Sequence, residues 1–245
     1  MSISTGEGGP SAPRLGVGEV INKAVPVGRR NIRPLALLAL MWVALPEAVI
    51  GLLTMNASTA AQSTSTAASL LAVIFSGAAT HLVTRDLQGL PVALREAQQV
   101  GVKLFLPILG ISILAAIGVG LGILLFVVPG IILALMWSVV VSVRVGEGPG
   151  VMASFGRSRA LTKGNRWPIF LVFLVTIIPI IAILAVAALF TAAVGAASPF
   201  AVGVISPLAS AAAAVLYAVI APTIYVRLRE LREGGGPSQL AAVFD

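Results

Sequence analysis

Apolar and polar positions separate along this chain into long blocks. Apolar runs near 34–55, 67–84, 104–127, 130–144, 168–194 and 202–227 alternate with short polar connections. A bilayer core of roughly 30 Å takes about 20 residues of helix at about 1.5 Å each. The six runs therefore predict six membrane-spanning helices, of which 130–144 is the shortest. Pro129-Gly130 reads as a tight turn that makes 104–127 and 130–144 a hairpin; the alternative is one bent or re-entrant unit.

The polar connections carry a pattern of their own. Pro34, Pro107 and Pro168 open the first, third and fifth runs, and a short segment ends ten residues before each: VINKA at 20–24, ALREA at 93–97 and SFGRS at 154–158. In the middle copy Leu90, Ala93, Leu94, Ala97 and Val100 share one helical face, opposite Arg95, Glu96, Gln98 and Gln99. In the first, Val17, Val20, Ile21 and Ala24 oppose Glu19, Asn22 and Lys23, and Pro26 with Gly28 should end the helix. In the third, Arg157 and Arg159 flank the apolar face on both sides. The expectation is an all-α polytopic membrane protein of three repeats, each a cytoplasmic interfacial helix followed by a transmembrane hairpin. It occupies 15–233 as one domain, between Gly-, Ser- and Pro-rich tails at 1–14 and 234–245 in which no order is expected.

Composition narrows the class. With 58% hydrophobic residues, 10% charged residues and a mean hydropathy of +1.04, there is too little polar surface to solvate a water-soluble globule. Zero cysteines and one histidine exclude a disulfide framework, a thiolate metal site and an imidazole cluster, so no metal or cofactor is expected. The first residues lack the apolar core of a cleaved signal peptide, so insertion should rest on the first span. On this layout all 16 lysines and arginines fall on one side, and the connections on the other side carry no charge. Cationic flanks resist translocation, so both termini are expected in the cytoplasm and the protein in the cytoplasmic (inner) membrane.

Candidate functional residues are few. Ser154, Arg157, Ser158 and Leu161 form one helical stripe, and Gly164 suits a left-handed end to that helix. Arg166 and Trp167 stand where cationic and aromatic side chains anchor a span at the headgroups. Arg157, Arg159, Lys163 and Arg166 are the candidate ligands for lipid phosphate or another anion, since guanidinium pairs bidentately with phosphate. Glu47, just after Pro46, is the one clear intramembrane ionisable residue. It reads either as a proton-coupling or gating group or as a carboxyl bonded to a neighbouring helix or reaching the outer interface. His81, one turn from Arg85, reads as interfacial. Gly118 and Gly122, and Ser206, Ser210, Ala214 and Ala218, put small residues at spacings of four that let helices approach. Prolines 46, 107, 179 and 222 should bend their spans. No nucleophile, acid and base converge, so the chain is not expected to be an enzyme.

The hairpin VVPGIILALMWSVVV at 127–141 and the following GEGPGVMASFGRSRALTKGNRWPIF at 146–170 carry a family resemblance, as do GEVINKAVPVGRRNIRPLALL at 18–38 and ALREAQQVGVKLFLPIL at 93–109. Together they resemble the membrane domain that accompanies some bacterial glycerophosphodiester phosphodiesterases and also occurs alone. The resemblance implies a helical membrane domain and a role in membrane or glycerophospholipid homeostasis. Its expected partners are anionic membrane phospholipids and a protein of lipid metabolism, not nucleic acid. It does not imply phosphodiesterase activity, because in that family the hydrolase is a separate soluble barrel of about 250 residues. The competing expectation is a transporter or channel for a small or lipidic solute, since internal repeats and bent helices are common in transporters.

Overall fold

Each polar connection on the cation-bearing side folds into a helix of its own. In a computed structural model, residues 15–53, 60–194 and 198–234 are described. The expected tails at 1–14 and 234–245 lie outside them, apart from Gly234, which caps the last helix. The order is α1 (Val17–Arg30), α2 (Ile32–Ala39), a π-helical turn (Leu40–Ala44), α3 (Leu45–Leu53), α4 (Ala60–Leu87) and α5 (Leu94–Lys103). There follow α6 (Phe105–Leu125), α7 (Val127–Met136), α8 (Val140–Glu147), α9 (Val151–Thr162), α10 (Arg166–Val194) and α11 (Pro199–Glu233). Among the described residues there is no strand, and six helices are long and apolar enough to cross a membrane. They run over Ile32–Gly51, Ala68–Leu87, Phe105–Leu125, Val127–Glu147, Arg166–Val194 and Phe200–Glu233. Along α6 and α10 a row of large apolar side chains stays exposed, among them Leu106, Ile117, Leu124, Ile178 and Leu189. Such surfaces are compatible with an integral membrane protein and not with one facing water.

Pro34, Pro107 and Pro168 each occupy the third position of their helix, α2, α6 and α10. There the missing N–H is one the first turn leaves unpaired anyway, so the proline costs nothing. Pro107 accordingly starts α6 and does not bend it, contrary to expectation. The residue after each proline, Leu35, Ile108 or Ile169, is fully buried. Each donates its N–H to the carbonyl three residues before the proline, at Asn31, Leu104 and Asn165, over 3.0, 2.9 and 3.1 Å. The residue ten before each proline is small and buried as well: Ala24, Ala97 and Ser158. These residues lie on α1, α5 and α9, which pack against α11, α4 and α8.

Two expected helices move. Pro26 is exposed and does not stop α1, which runs on to Arg30. The middle helix starts only at Leu94, after Pro91, so Leu90 and Ala93 lie outside it and Ala97 with Gly101 forms its buried face. Gly101 lets α5 reach the α4 backbone, since a Cβ there would lie 2.5 Å from the Ile74 carbonyl oxygen.

The third hairpin corrects the expected turn. Phe126, extended at φ −157° and ψ 140°, makes the reversal, while Pro129 and Gly130 are already inside α7. Pro129 is harmless there for the reason given above. Gly130 faces Gly122, and a Cβ on Gly130 would come within 2.7 Å of the Ile123 backbone nitrogen. Gly118 in turn receives the Trp137 ring. The small residues thus let α6 and α7 pack backbone to backbone, as their spacing predicted. The fourth apolar helix is longer than 130–144, but Trp137–Val139 breaks it into α7 and α8. The centre of the molecule is made by α4, α8 and α11, which pack on one another.

Candidate functional site: the cation-bearing face

The α9 segment is positioned by its hydroxyls. Gly148 at φ +73° ends α8, and Arg144 donates to the carbonyls of Gly148 and Pro149 to close the turn. Ser154, Ser158 and Thr162 then follow at intervals of four, all buried. The break at Trp137–Val139 diverts the Val140 N–H to Trp137, so the Met136 carbonyl has no helical donor. Ser158 Oγ supplies one at 2.8 Å, and Thr162 Oγ1 stands 3.4 Å away. Trp137 completes the junction edge-on to Phe155, with centroids 5.0 Å apart. After Thr162, Lys163 (φ −57°, ψ 128°) and Gly164 (φ +84°) turn the chain, and the Asn165 N–H returns to the Thr162 carbonyl over 3.1 Å. Gly164 is left-handed as expected, as the second central residue of a type II turn. Asn165 Oδ1 accepts the Leu15 N–H at 2.9 Å, tying the segment before α1 to the turn between α9 and α10.

Around these helices every described acidic residue on the cation-bearing face is engaged. Glu147 accepts from Arg157 at 2.9 and 3.2 Å and from the Tyr225 hydroxyl at 3.1 Å. Glu233 pairs with Arg157 and, at 2.6 Å, with Arg229. Arg227 holds Glu19 and Glu230, and Lys23 reaches Glu230 at 2.7 Å. Arg30 grips Asp86 through two bonds of 3.1 and 2.5 Å, and Glu96 takes His81 at 3.2 Å and Arg85 at 4.0 Å. The Glu147 carboxylate, with Glu233, holds the Arg157 guanidinium above the usual arginine range. The α11 helix, 35 residues and about 52 Å long, outruns a core of roughly 30 Å. Its last turns beyond Arg227 therefore stand outside the span, where Arg229 keeps the Glu233 carboxyl below its ordinary range.

The four candidate anion ligands divide accordingly. Arg157 is spent on two carboxylates of its own chain. Arg166 is half-buried, with Nη2 3.7 Å from Met136 Sδ. Arg159 and Lys163 are exposed, and their side chains meet no protein partner. Four further cations share that condition but were not singled out from sequence: Arg29, Arg33, Arg95 and Lys103. No acid lies three or four residues from any of them, but the same is true of Arg157 and Arg30, whose carboxylate partners are remote in sequence, so spacing alone could not pick them out. Among the described residues six exposed, unpaired cations thus lie near one another in sequence in pairs: Arg29 in α1 with Arg33 in the first turn of α2, Arg95 and Lys103 in α5, and Arg159 in α9 with Lys163 just after it.

The remaining candidates find ordinary surroundings. Trp167 is 69% exposed at the start of α10 and stacks on Phe170 at 5.4 Å. Glu47 is half-buried in α3, with its carboxyl against the Ser210 hydroxyl of α11. The described residues contain no group of His, Asp or Glu able to hold a metal ion. Comparison with protein-family models, curated proteins and solved structures gave no match to this chain.

Proposed function

We propose that this protein is a non-catalytic membrane domain that holds anionic phospholipid on its inner face, in the service of membrane or glycerophospholipid homeostasis. It sits in the cytoplasmic membrane with both termini inside, and consists of three copies of an interfacial helix followed by a hairpin. The copies are supported by the three prolines at equivalent helix positions, the buried residue after each, and the small buried residue ten before it. The observation that carries the lipid reading is the division of charge. The inner carboxylates are consumed by intramolecular pairs, while Arg29, Arg33, Arg95, Lys103, Arg159 and Lys163 are left facing outward. A cation near an anionic leaflet contributes about 1 kcal/mol, and this set is spread over all three copies. The family resemblance of the α7–α10 region supplies the link to glycerophospholipids.

Native mass spectrometry of the purified protein tests this directly. The wild type should carry anionic phospholipid, and replacing the six unpaired cations with Gln should strip it. Arg157→Gln should leave the lipid in place. Equal retention in all three forms would reduce the six cations to a topology signal.

A further inference from the structure

The centre of the bundle contains a cavity that the inner face does not explain. It measures about 270 Å³ and lies between α4, α8, α11 and the π-helical turn. We infer that it is a binding site for one small, uncharged, multiply hydroxylated solute, independent of the lipid on the inner face.

Hydroxyl groups line it. Ser76 and Thr80 project from α4, Ser138 and Ser142 from the break and α8, and half-exposed Tyr217 stands at its edge on α11. Ser138 Oγ is committed to the Leu135 carbonyl at 2.9 Å. Ser142 is 1% exposed and its hydroxyl has no partner. A buried hydroxyl left unpaired costs about 1–3 kcal/mol, so such a group persists where something else pairs with it. Ser76 and Thr80 also make no side-chain hydrogen bond in the described structure, and Pro222 has no N–H to offer the Ala218 carbonyl beside them.

The backbone around the cavity is irregular on three sides. Pro46 would clash with the carbonyl four residues back, and the chain answers with the wide turn Leu40–Ala44, in which the Leu45 N–H reaches the Leu40 carbonyl. Val43 of that turn, Ser138 of the α7–α8 break and Pro222 of α11 all line the same space. Non-helical backbone at membrane depth is tolerated where it is buried in protein or lines a cavity, and broken helices at the bundle centre form the sites of many transporters.

Chemistry and size select the ligand. None of the lining residues is charged, so a charged solute would be desolvated with no counter-charge. Hydroxyls that both donate and accept suit a solute with hydroxyls of its own. The volume equals about nine waters at about 30 Å³ each, which fits a three- to five-carbon polyol and excludes a lipid.

The natural chain has no cysteine, so one substitution gives a unique reporter. Ser142→Cys is near-isosteric. In detergent, a small neutral methanethiosulfonate should label it, while Ser154→Cys, fully buried outside the cavity, should stay unlabelled. With glycerol or erythritol at about four times Kd, labelling should slow about fivefold by mass action, and glycerol 3-phosphate should not slow it. Failure of Ser142→Cys to label, or labelling that no polyol slows, would overturn the inference, the second leaving a water-filled cavity only. Equal protection by the phosphate would overturn the neutral class. If Ser142→Cys does not fold, Ser76→Cys carries the same measurement. Lipid retention is not read in this assay, so either proposal can fail alone.

Discussion

Ser158→Ala tests how the break between α7 and α8 is stabilised. The substitution removes the 2.8 Å bond to the Met136 carbonyl and leaves Thr162 Oγ1 at 3.4 Å, too far for a good replacement. The buried carbonyl would then be an unsatisfied acceptor, at a cost of about 1–3 kcal/mol. Ser154→Ala is the matched control one turn earlier. Its hydroxyl bonds the Gly150 carbonyl at 3.0 Å, but that carbonyl also accepts the Ser154 N–H at 2.9 Å, so nothing is orphaned. The control should cost well under about 1 kcal/mol. For a chain of this length each kcal/mol moves Tm by about 2–4 °C. Unfolding in detergent, followed by the fluorescence of Trp137 in a background in which Trp42 and Trp167 are replaced by Phe, reads the difference where it arises. If the two variants fall within about 0.5 kcal/mol of each other, the ordinary scatter of neutral substitutions, the Ser158 hydroxyl does not hold the break open.

Gly130→Ala should destabilise by about 1–3 kcal/mol through overpacking, because its Cβ meets the Ile123 backbone. Gly120→Ala, with nothing within 4 Å, should be neutral or stabilising by up to about 1 kcal/mol; equal melting temperatures would refute the close approach. The pH dependence follows from Glu233, whose carboxyl is held below its ordinary range. Its contribution is fully present above the unfolded value of about 4.3 and is lost as pH falls through the lower folded value. Wild type and Glu233→Gln should therefore differ in stability by a constant amount from pH 7 to 5 and converge in stronger acid; a difference that grows with acidity would contradict the sign. Reporter fusions should show cytoplasmic-type activity after residue 233 and periplasmic-type activity near Ser63, and the reverse at either position would overturn the orientation.

The helical blocks were legible because run length alone separates a span from a loop, and the inner helices because their apolar positions recur with the helical period. The break at Trp137–Val139 was not legible. The run VVPGIILALMWSVVV is apolar but for Ser138, with its Pro and Gly eight and seven positions before the break, and the bond that sustains the break comes from Ser158, 22 residues from the carbonyl it holds. The same Pro-Gly pair suggested a turn at 129–130, because a dipeptide that punctuates loops is equally at home in the first turn of a helix. At Pro26 the proline is a poor stop for a related reason: it is exposed, so the carbonyl it leaves free, at Asn22, faces outward. The π-helical turn needed a structure, since Pro46 announces a disturbed helix without saying whether it kinks or widens.

Counting cations located the cation-bearing face but could not divide the labour within it. Arg157 and Arg159 look alike in sequence, two residues apart on one helix, yet they project in different directions because i and i+2 do not share a face. The carboxylates that claim Arg157 lie 10 and 76 residues away, at the ends of α8 and α11. Those pairs fix α9 to the bundle, and the cations they leave over are the ones free to meet a headgroup. A basic flank is therefore an upper bound on lipid-facing charge, and the bound tightens only when each acid has been assigned its partner. In this chain the assignment takes Arg157 out of the unpaired set and adds Arg29, Arg33, Arg95 and Lys103, so the charge open to the lipid we propose is spread over α1, α2, α5 and α9 and is not confined to the third segment.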